Sequence, residues 1–214
     1  MKPLLLSTRQ SLEAATRTFE AGLAAPGNSA VEYLRGRGFD HATALDFRLG
    51  FVDKVVPGYE HCVGRLAIPN RCAAGHVVGI KFRALTDDVD PKYIKRAGDE
   101  NRLFNLRALS LAGDVLFTTE GEIDTISLSS LGVPSIAIQG VDSFKDYHWR
   151  LLEGYRKVVH VRDNDGPGLE LAKRLTATDL PVVVVAPPAG RHDVNDALVN
   201  APDALRALIE EVSK

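Results

Sequence analysis

The sequence predicts an α/β fold, with a parallel sheet flanked by helices, preceded by a smaller mixed α+β subdomain that carries an excess of basic residues. After residue 114, short apolar runs alternate with runs of helical period, which is typical of parallel strands covered on both faces. Before that residue, two helical stretches give way to an alternating pattern that indicates a hairpin. The predicted domains are therefore residues 1–110 and 111–214.

The N-terminal subdomain is predicted to begin with two helical stretches, over residues 8–24 and 29–47, separated by a Pro-Gly-Asn turn that breaks helical geometry. Apolar residues then alternate or run together over 65–69 and 76–85, on either side of a glycine-containing turn, which predicts a β-hairpin. The segment 86–102 is polar and rich in turn residues, so we expect an exposed loop there.

The C-terminal domain is predicted to alternate strand and helix four times. Its strands are apolar runs that are too short for buried helices. In chain order we expect a strand over 115–119, a helix over 122–131, a strand over 135–138, a helix over 144–154, a strand over 158–161, a helix over 169–176, a strand over 181–185 and a helix over 203–213. Sheets of this kind bind ligands beyond the carboxyl ends of their strands.

The composition excludes several classes of protein. Of the 214 residues, 45% are hydrophobic and 25% are charged, which argues against disorder. No apolar run approaches the roughly 18 residues that cross a bilayer, and the apolar stretch at the start is too short for a secretory signal. Two cysteines cannot build a disulfide framework. We therefore expect a cytoplasmic protein with no membrane partner.

Charge is distributed unevenly along the chain. Residues 65–107 carry nine Lys/Arg against five Asp/Glu, whereas residues 114–214 carry ten against sixteen. A basic segment beside an acidic one suggests a surface for a polyanion next to a carboxylate cluster, as metal-assisted nucleic-acid chemistry requires. Chance segregation of solvated surface charge remains the alternative.

Acidic residues follow three of the four predicted strands. Glu120 comes just after the first strand, Asp163 and Asp165 just after the third, and Asp193 after the fourth. These carboxylates would meet at one edge of the sheet, and hard divalent cations such as Mg²⁺ prefer oxygen ligands. Each has a structural alternative, because Glu120 would favour the start of a helix and the aspartates could form turns or N-caps.

Three stretches around these carboxylates carry a family resemblance: Thr119-Glu120-Gly121-Glu122-Ile123-Asp124, Val161-Arg162-Asp163-Asn164-Asp165-Gly166-Pro167-Gly168 and Asp193-Val194-Asn195-Asp196-Ala197-Leu198. The first two resemble the motifs of the Toprim fold, which DnaG-type bacterial primases share with topoisomerases and some nucleases. The third is similar to the acidic motif of phage primase-helicases. One departure is Pro167, which stands where primases usually carry a small residue.

The resemblance continues upstream and narrows the choice within the fold. The segments at 65–69, 75–83 and 91–93 resemble the basic subdomain that precedes Toprim in primases, and those at 33–39 and 47–51 are similar to its opening. The order and spacing of these motifs indicate a primase catalytic core. The resemblance then implies template-directed synthesis of short RNA primers on single-stranded DNA by a DNA-dependent RNA polymerase.

The resemblance also implies roles for individual residues. Glu120, Asp163 and Asp165 would be catalytic and, with Asp193, would hold Mg²⁺ or Mn²⁺. Glu120 would serve as a metal ligand or as a general acid/base, and the sequence leaves both roles open.

In the basic segment, Arg83 and Lys92 would hold the nucleotide triphosphate or the template backbone, with Arg65 as a weaker candidate. Cys62 and Cys72 match no zinc-binding spacing, so no zinc is expected.

The implied partners are single-stranded DNA, nucleoside triphosphates, and a replicative helicase or a separate zinc-ribbon module. We expect the bare catalytic core, in the host cytoplasm if a phage encodes it. Two alternatives remain: a Toprim nuclease that uses the same carboxylates, and a non-catalytic nucleic-acid-binding module.

Overall fold

A computed structural model describes residues 4–96, 98–139, 144–164 and 166–214. The chain forms two compact units, Met1–Glu100 and Asn101–Lys214. Among the described residues, no helix combines the length and the apolar character of a membrane span.

The first unit consists of helices and one antiparallel sheet. Its helices are α1 (Leu6–Ala24), α2 (Ser29–Gly36) and α3 (His41–Asp46), and its strands are β1 (Gly50–Phe51), β2 (Leu66–Arg71), β3 (Val77–Arg83) and β4 (Tyr93–Lys95). The sheet order is β1-β2-β3-β4. The predicted helices and hairpin are therefore confirmed, and the second helical stretch divides into α2 and α3.

The first unit's core forms where α1 packs on the sheet. Leu12 and Phe19 of α1 are buried against Phe82 of β3, and the rings of Phe19 and Phe82 meet edge-on with centroids 5.6 Å apart. One residue ends α1 and begins α2: the amide of Asn28 donates to the carbonyl of Leu23 at 2.8 Å, and its side-chain oxygen accepts from the N–H of Val31 at 3.1 Å.

The expectation of a loop over 86–102 is wrong in part, because β4 lies within it. Residues Tyr93–Lys95 pair with the edge of β3, with Tyr93 opposite Arg83 and Ile94 opposite Phe82. Ile94 packs against the core. This strand forms through its pairing with β3. The segment is too short and too polar for its hydrophobic pattern to predict a strand.

The second unit carries the parallel sheet. Its strands are β5 (Val115–Thr119), β6 (Ser135–Ala137), β7 (Lys157–Val161) and β8 (Val182–Val185), and its helices are α4 (Ala108–Leu111), α5 (Glu122–Ser130), α6 (Gly166–Thr176), α7 (Val194–Asn200) and α8 (Pro202–Ser213). The order is β6-β5-β7-β8, and every pair is parallel. The predicted fold class is confirmed.

The second unit differs from the prediction in where it begins and in the form of one helix. Residues 101–110 pack with this unit, because Leu103 lies in its core and Phe104 forms a bridge with Ala137. The expected helix over 144–154 is a short 3-10 helix, Asp146–Leu151. There the N–H of Lys145 donates to Nδ1 of His148 at 3.0 Å, which caps this tighter turn at its start.

Candidate active site

The ends of the two central strands of the parallel sheet bring two predicted site residues together. Glu120 follows β5 and Asp163 follows β7, and these strands are neighbours. The backbone N–H of Asp163 donates to Oε1 of Glu120 at 3.0 Å. This hydrogen bond fixes the Glu120 carboxylate against the loop that carries Asp163, so the two predicted site residues are adjacent.

Gly168, in the first turn of α6, makes room for this contact. A Cβ atom at Gly168 would lie 2.5 Å from Oε1 of Glu120 and 2.7 Å from the carbonyl oxygen of Asp163. No side chain fits at such distances. The backbone of α6 therefore approaches the two carboxylate-bearing loops as closely as glycine allows, and the three segments form a tight cradle.

The loop after β7 is also tied to the loop after β8. The N–H of Asn164 donates to the carbonyl of His192 at 3.1 Å, and its side-chain amide donates to the carbonyl of Arg191 at 2.8 Å. Its side-chain oxygen accepts from Arg162 at 2.8 Å. Asn164 thus connects the ends of β7 and β8, a role that the sequence analysis missed.

Asp193 is the N-cap of α7. Its Oδ1 accepts from the N–H of Asp196 at 2.6 Å, so the capping interpretation is confirmed, and its role as a metal ligand stays a prediction. Asp196 is held in turn, because the N–H of His192 donates to its carboxylate at 2.9 Å. That hydrogen bond lowers the pKa of Asp196.

A second link behind the edge was also missed. The buried carboxylate of Asp124, on α5, accepts from the N–H of Asn195 at 2.9 Å, and the Asn195 amide donates to Ser127 at 2.9 Å. These bonds fix the start of α7 against α5. Asp124 and Asn195 both lie in the acidic motifs described above. Their positions within those motifs were the sequence signal from which this link could have been predicted.

The donors at this edge suit a hard divalent cation. Glu120, Asp163 and Asp193 carry carboxylate oxygens, and Gly168 leaves the space in which the Glu120 carboxylate meets the backbone of Asp163. Within the described ranges, no three acidic, His or Cys side chains already form a metal-binding group. The remaining predicted ligand, Asp165, lies outside the described residues.

A buried histidine lies in the sheet beneath the edge. His160 on β7 is fully buried, and its Nδ1 lies 3.0 Å from Oγ1 of Thr118 on β5. Burial, with a smaller effect of Arg162, lowers the pKa of His160 to about 4. The imidazole is therefore neutral at pH 7.

The three basic candidates of the first unit differ in exposure. Arg65 and Arg83 are 8% and 5% exposed, whereas the Lys92 side chain is 53% exposed. Nζ of Lys92 lies 3.7 Å from Oδ1 of Asp87, as an exposed ion pair. The ring of Tyr93, beside Lys92, is contacted by two cations, with Lys81 Nζ 4.5 Å and Arg83 Cζ 4.9 Å from its centroid.

Comparison with known proteins identifies both the fold and relatives in sequence. Residues 117–198 match the Toprim-like family Toprim_2. The chain is 38% identical to the Gene 57 protein of Mycobacterium phage D29, over 60% of this chain and 84% of that protein. It is 24% identical to the DNA primase of Legionella pneumophila, over 72% of this chain but 33% of the primase.

A solved structure extends the likeness to nearly the whole chain. The catalytic domain of a DnaG primase bound to single-stranded DNA matches with a TM-score of 0.77 at 22% identity, over 95% of this chain and 78% of that domain. At this identity the match supports the fold. The chain spans about a third of the length of the bacterial DNA primases that it matches in sequence.

Proposed function

The chain belongs to the Toprim family with the fold of DnaG-type primase cores, and from this membership we propose that it synthesises short RNA primers on single-stranded DNA. The reaction is nucleotidyl transfer, in which the 3′-hydroxyl of the growing strand attacks the α-phosphate of a nucleoside triphosphate and pyrophosphate leaves. The activity is that of a DNA-dependent RNA polymerase.

The observation that carries this proposal is the contact between Glu120 and Asp163. Two carboxylates from adjacent strand ends would repel each other in the absence of a cation or donors. Here the N–H of Asp163 holds Glu120 in place at 3.0 Å, and Gly168 keeps the space around both of them small. A carboxylate that is preorganised against the loop of a second acidic residue is suited to chemistry on a phosphate.

Glu120, Asp163, Asp165 and Asp193 would hold Mg²⁺ or Mn²⁺, which when bound supplies positive charge for the attacking and leaving oxygens. Glu120 would also accept the proton of the attacking hydroxyl on its carboxylate. The hydrogen bond from Asp163 orients that carboxylate before the substrate binds.

Lys92 is the best of the three basic candidates for a direct phosphate contact. Its ammonium group is exposed and forms a long ion pair with Asp87, whereas both arginines are buried. The ligand would be a phosphate of the template strand or of the incoming triphosphate. A helicase or a zinc-ribbon module would act as a separate partner in the replication of a longer template.

A single assay tests the proposal. The purified chain is incubated with single-stranded DNA, the four ribonucleotides and Mn²⁺, and the products are separated by length. New RNA supports the primase function. Cut DNA would indicate the nuclease, and DNA retained on the protein without either product would indicate a binding module. Glu120→Gln is the control, since it should abolish the product in the first two cases.

A further inference from the structure

Lys92 stands between two buried arginines that contact its neighbours in the chain. Nη1 of Arg65 donates to the carbonyl of Pro91 at 2.8 Å and lies 3.5 Å from the carbonyl of Lys92. The same Lys92 carbonyl accepts from the N–H of Ala84 at 2.9 Å. The peptide groups on both sides of Lys92 are therefore held, that of Pro91 by Arg65 and that of Lys92 by the N–H of Ala84, just after β3.

Arg83 holds the side chain of the residue that follows Lys92. It lies directly opposite Tyr93 in the β3–β4 pair, its Nη1 donates to the Tyr93 hydroxyl, and its guanidinium packs 4.9 Å from the ring centroid. A second ring, that of Tyr33 on α2, lies 5.8 Å from the same guanidinium. Arg83 thus fixes Tyr93 while it is itself fixed from α2.

Burial separates these arginines from an ordinary phosphate-binding role. A phosphate that arrives from solvent needs exposed donors, yet Arg65 and Arg83 expose 8% and 5% of their surface. The donor of Arg65 already has a backbone acceptor, and Nη1 of Arg83 already has the hydroxyl of Tyr93. The side chain between them, Lys92, is the exposed one.

We propose that Arg65 and Arg83 are positioning residues, which hold the backbone on either side of Lys92 so that its ammonium group meets a phosphate in a fixed place. A flexible lysine loses side-chain and backbone freedom when it binds, and a braced backbone reduces that loss. The proposal rests on the proposed function, because it takes the phosphate to belong to a nucleic acid strand or to a nucleotide.

The test is a double-mutant cycle between Arg65→Gln and Lys92→Ala, with the affinity for a labelled oligothymidylate measured at several salt concentrations. We expect Lys92→Ala to weaken binding about fivefold to tenfold and to lower the slope of log affinity against log salt by about 0.7. Arg65→Gln should weaken binding about threefold in the parent chain and should have no effect once Lys92 is absent. Lys54→Gln, which removes one exposed charge from the same unit, controls for general electrostatics.

A charge-neutral variant tests the other arginine. Tyr93→Phe removes the hydroxyl that Arg83 contacts and keeps the ring. We expect it to weaken binding about twofold to threefold in the parent chain and not in Lys92→Ala. This variant also decides the question if Arg65→Gln does not fold, which thermal unfolding would reveal.

The same variants show whether the phosphate that Lys92 contacts belongs to the nucleic acid strand or to the nucleotide. If Lys92 contacts the strand, the salt slope changes as above; if it contacts the nucleotide, the KM for the nucleotide rises in Lys92→Ala and the slope stays constant. In the second case the double-mutant cycle is evaluated from the KM values for the nucleotide.

Two outcomes would contradict the proposal. If the losses of the two single variants multiply in the double variant and the salt slope falls by about 1.4, Arg65 binds phosphate itself, which would overturn the positioning role. If Lys92→Ala changes the affinity and the KM no more than Lys54→Gln does, Lys92 does not contact a phosphate, and the bracing of its backbone has no function in binding. Primer synthesis by the parent chain is measured separately and does not depend on either result.

Discussion

The two units hold their charged side chains in opposite ways. In the first unit, the arginines at 65 and 83 are buried in the sheet and its flanking segments, and a single lysine between their contacts is exposed. In the second unit, Glu120 and Asp163 lie on loops beyond the strand ends, and the Glu120 carboxylate is placed by the backbone N–H of Asp163 in the space that Gly168 leaves. The first arrangement braces one cation from behind, and the second gathers anions from several strands.

This difference follows from the chemistry of the groups. An arginine stays charged at every relevant pH and can be buried when its fork of N–H groups finds carbonyls and rings. Carboxylates that are to share a cation must stay close together and accessible, so their restraint has to come from the backbone. We therefore expect substitutions at the acidic edge to affect chemistry most and substitutions in the basic unit to affect affinity.

The largest expected effect is at the acidic edge. Asp163→Asn should lower nucleotide incorporation by about 100-fold or more, because removing one carboxylate charge weakens the cation that stabilises charge on the reacting oxygens. The measurements are incorporation at saturating Mg²⁺ and, independently, the affinity for Mn²⁺ by titration. The matched control is Asp179→Asn, an exposed aspartate before β8. Full incorporation by Asp163→Asn would remove it from the site.

Gly168 tests whether the edge depends on close packing. In Gly168→Ala the new methyl group would lie 2.5 Å from Oε1 of Glu120, so either the carboxylate or α6 must move. We expect a loss of about 1–3 kcal/mol in the free energy of unfolding and about tenfold to 100-fold in incorporation.

Gly166 provides the control for this substitution. It lies in the same first turn of α6, and a Cβ there meets nothing within 4 Å. Gly166→Ala should leave incorporation unchanged and stability equal or raised by up to about 1 kcal/mol, since alanine favours helix. Equal behaviour of the two variants would mean that the cradle does not depend on the missing side chain.

The parallel sheet was predictable because its strands are compact apolar runs, such as Val158-Val159-His160-Val161, separated by helical periods. The short strand β4 was not, because Tyr93–Lys95 becomes a strand only through its pairing with Arg83 and its neighbours. Strand formation at such an edge is a tertiary effect, and a local pattern does not contain it.

The same distinction applies to the candidate site. Glu120 and Asp163 were predicted as neighbours from their positions after parallel strands, and their hydrogen bond agrees with that expectation. The bond from the Asn164 side chain to the carbonyl of Arg191 joins residues 27 positions apart, and both acceptors of Asn164, the carbonyls of Arg191 and His192, are backbone atoms, which carry no residue signature. Burial of Arg65 was likewise hidden, because the carbonyl of Pro91 that satisfies it lies 26 residues away.

The buried basic side chains of the two units differ in how they respond to pH. The arginines of the first unit stay protonated, whereas burial lowers the pKa of His160 in the second unit to about 4. The unfolded chain takes up a proton below about pH 6.5, and the folded chain does so only near pH 4, so stability falls as the pH drops through this window. We expect a loss of about 2–3 kcal/mol between pH 7.5 and 4 from this group, measured by denaturant unfolding.

His160→Gln is the control for that titration, since it keeps a polar group near Thr118 and cannot be protonated. Its stability should vary less with pH than that of the parent chain over the same window. Identical pH profiles of the two proteins would show that His160 keeps its ordinary pKa and that other groups cause the acid sensitivity.

The smallest expected effect lies in the first unit, at the ion pair between Lys92 and Asp87. The pair is exposed, with Nζ and Oδ1 3.7 Å apart, and such pairs contribute little to stability. Asp87 nevertheless competes with a phosphate for the same ammonium group. Asp87→Asn should therefore raise the affinity for single-stranded DNA about twofold at low salt, and the gain should vanish at high salt because exposed charges are screened.

Asp88→Asn removes the same charge one residue away and is the matched control. A double variant that combines Lys92→Ala with Asp87→Asn removes the lysine partner as well. If the gain is specific to Asp87 and disappears without Lys92, a single exposed cation dominates phosphate binding by the first unit, in contrast to the shared carboxylates of the second. Equal gains from Asp87→Asn and Asp88→Asn would instead make the effect one of net charge, and the contrast between the units would lose its basis at Lys92.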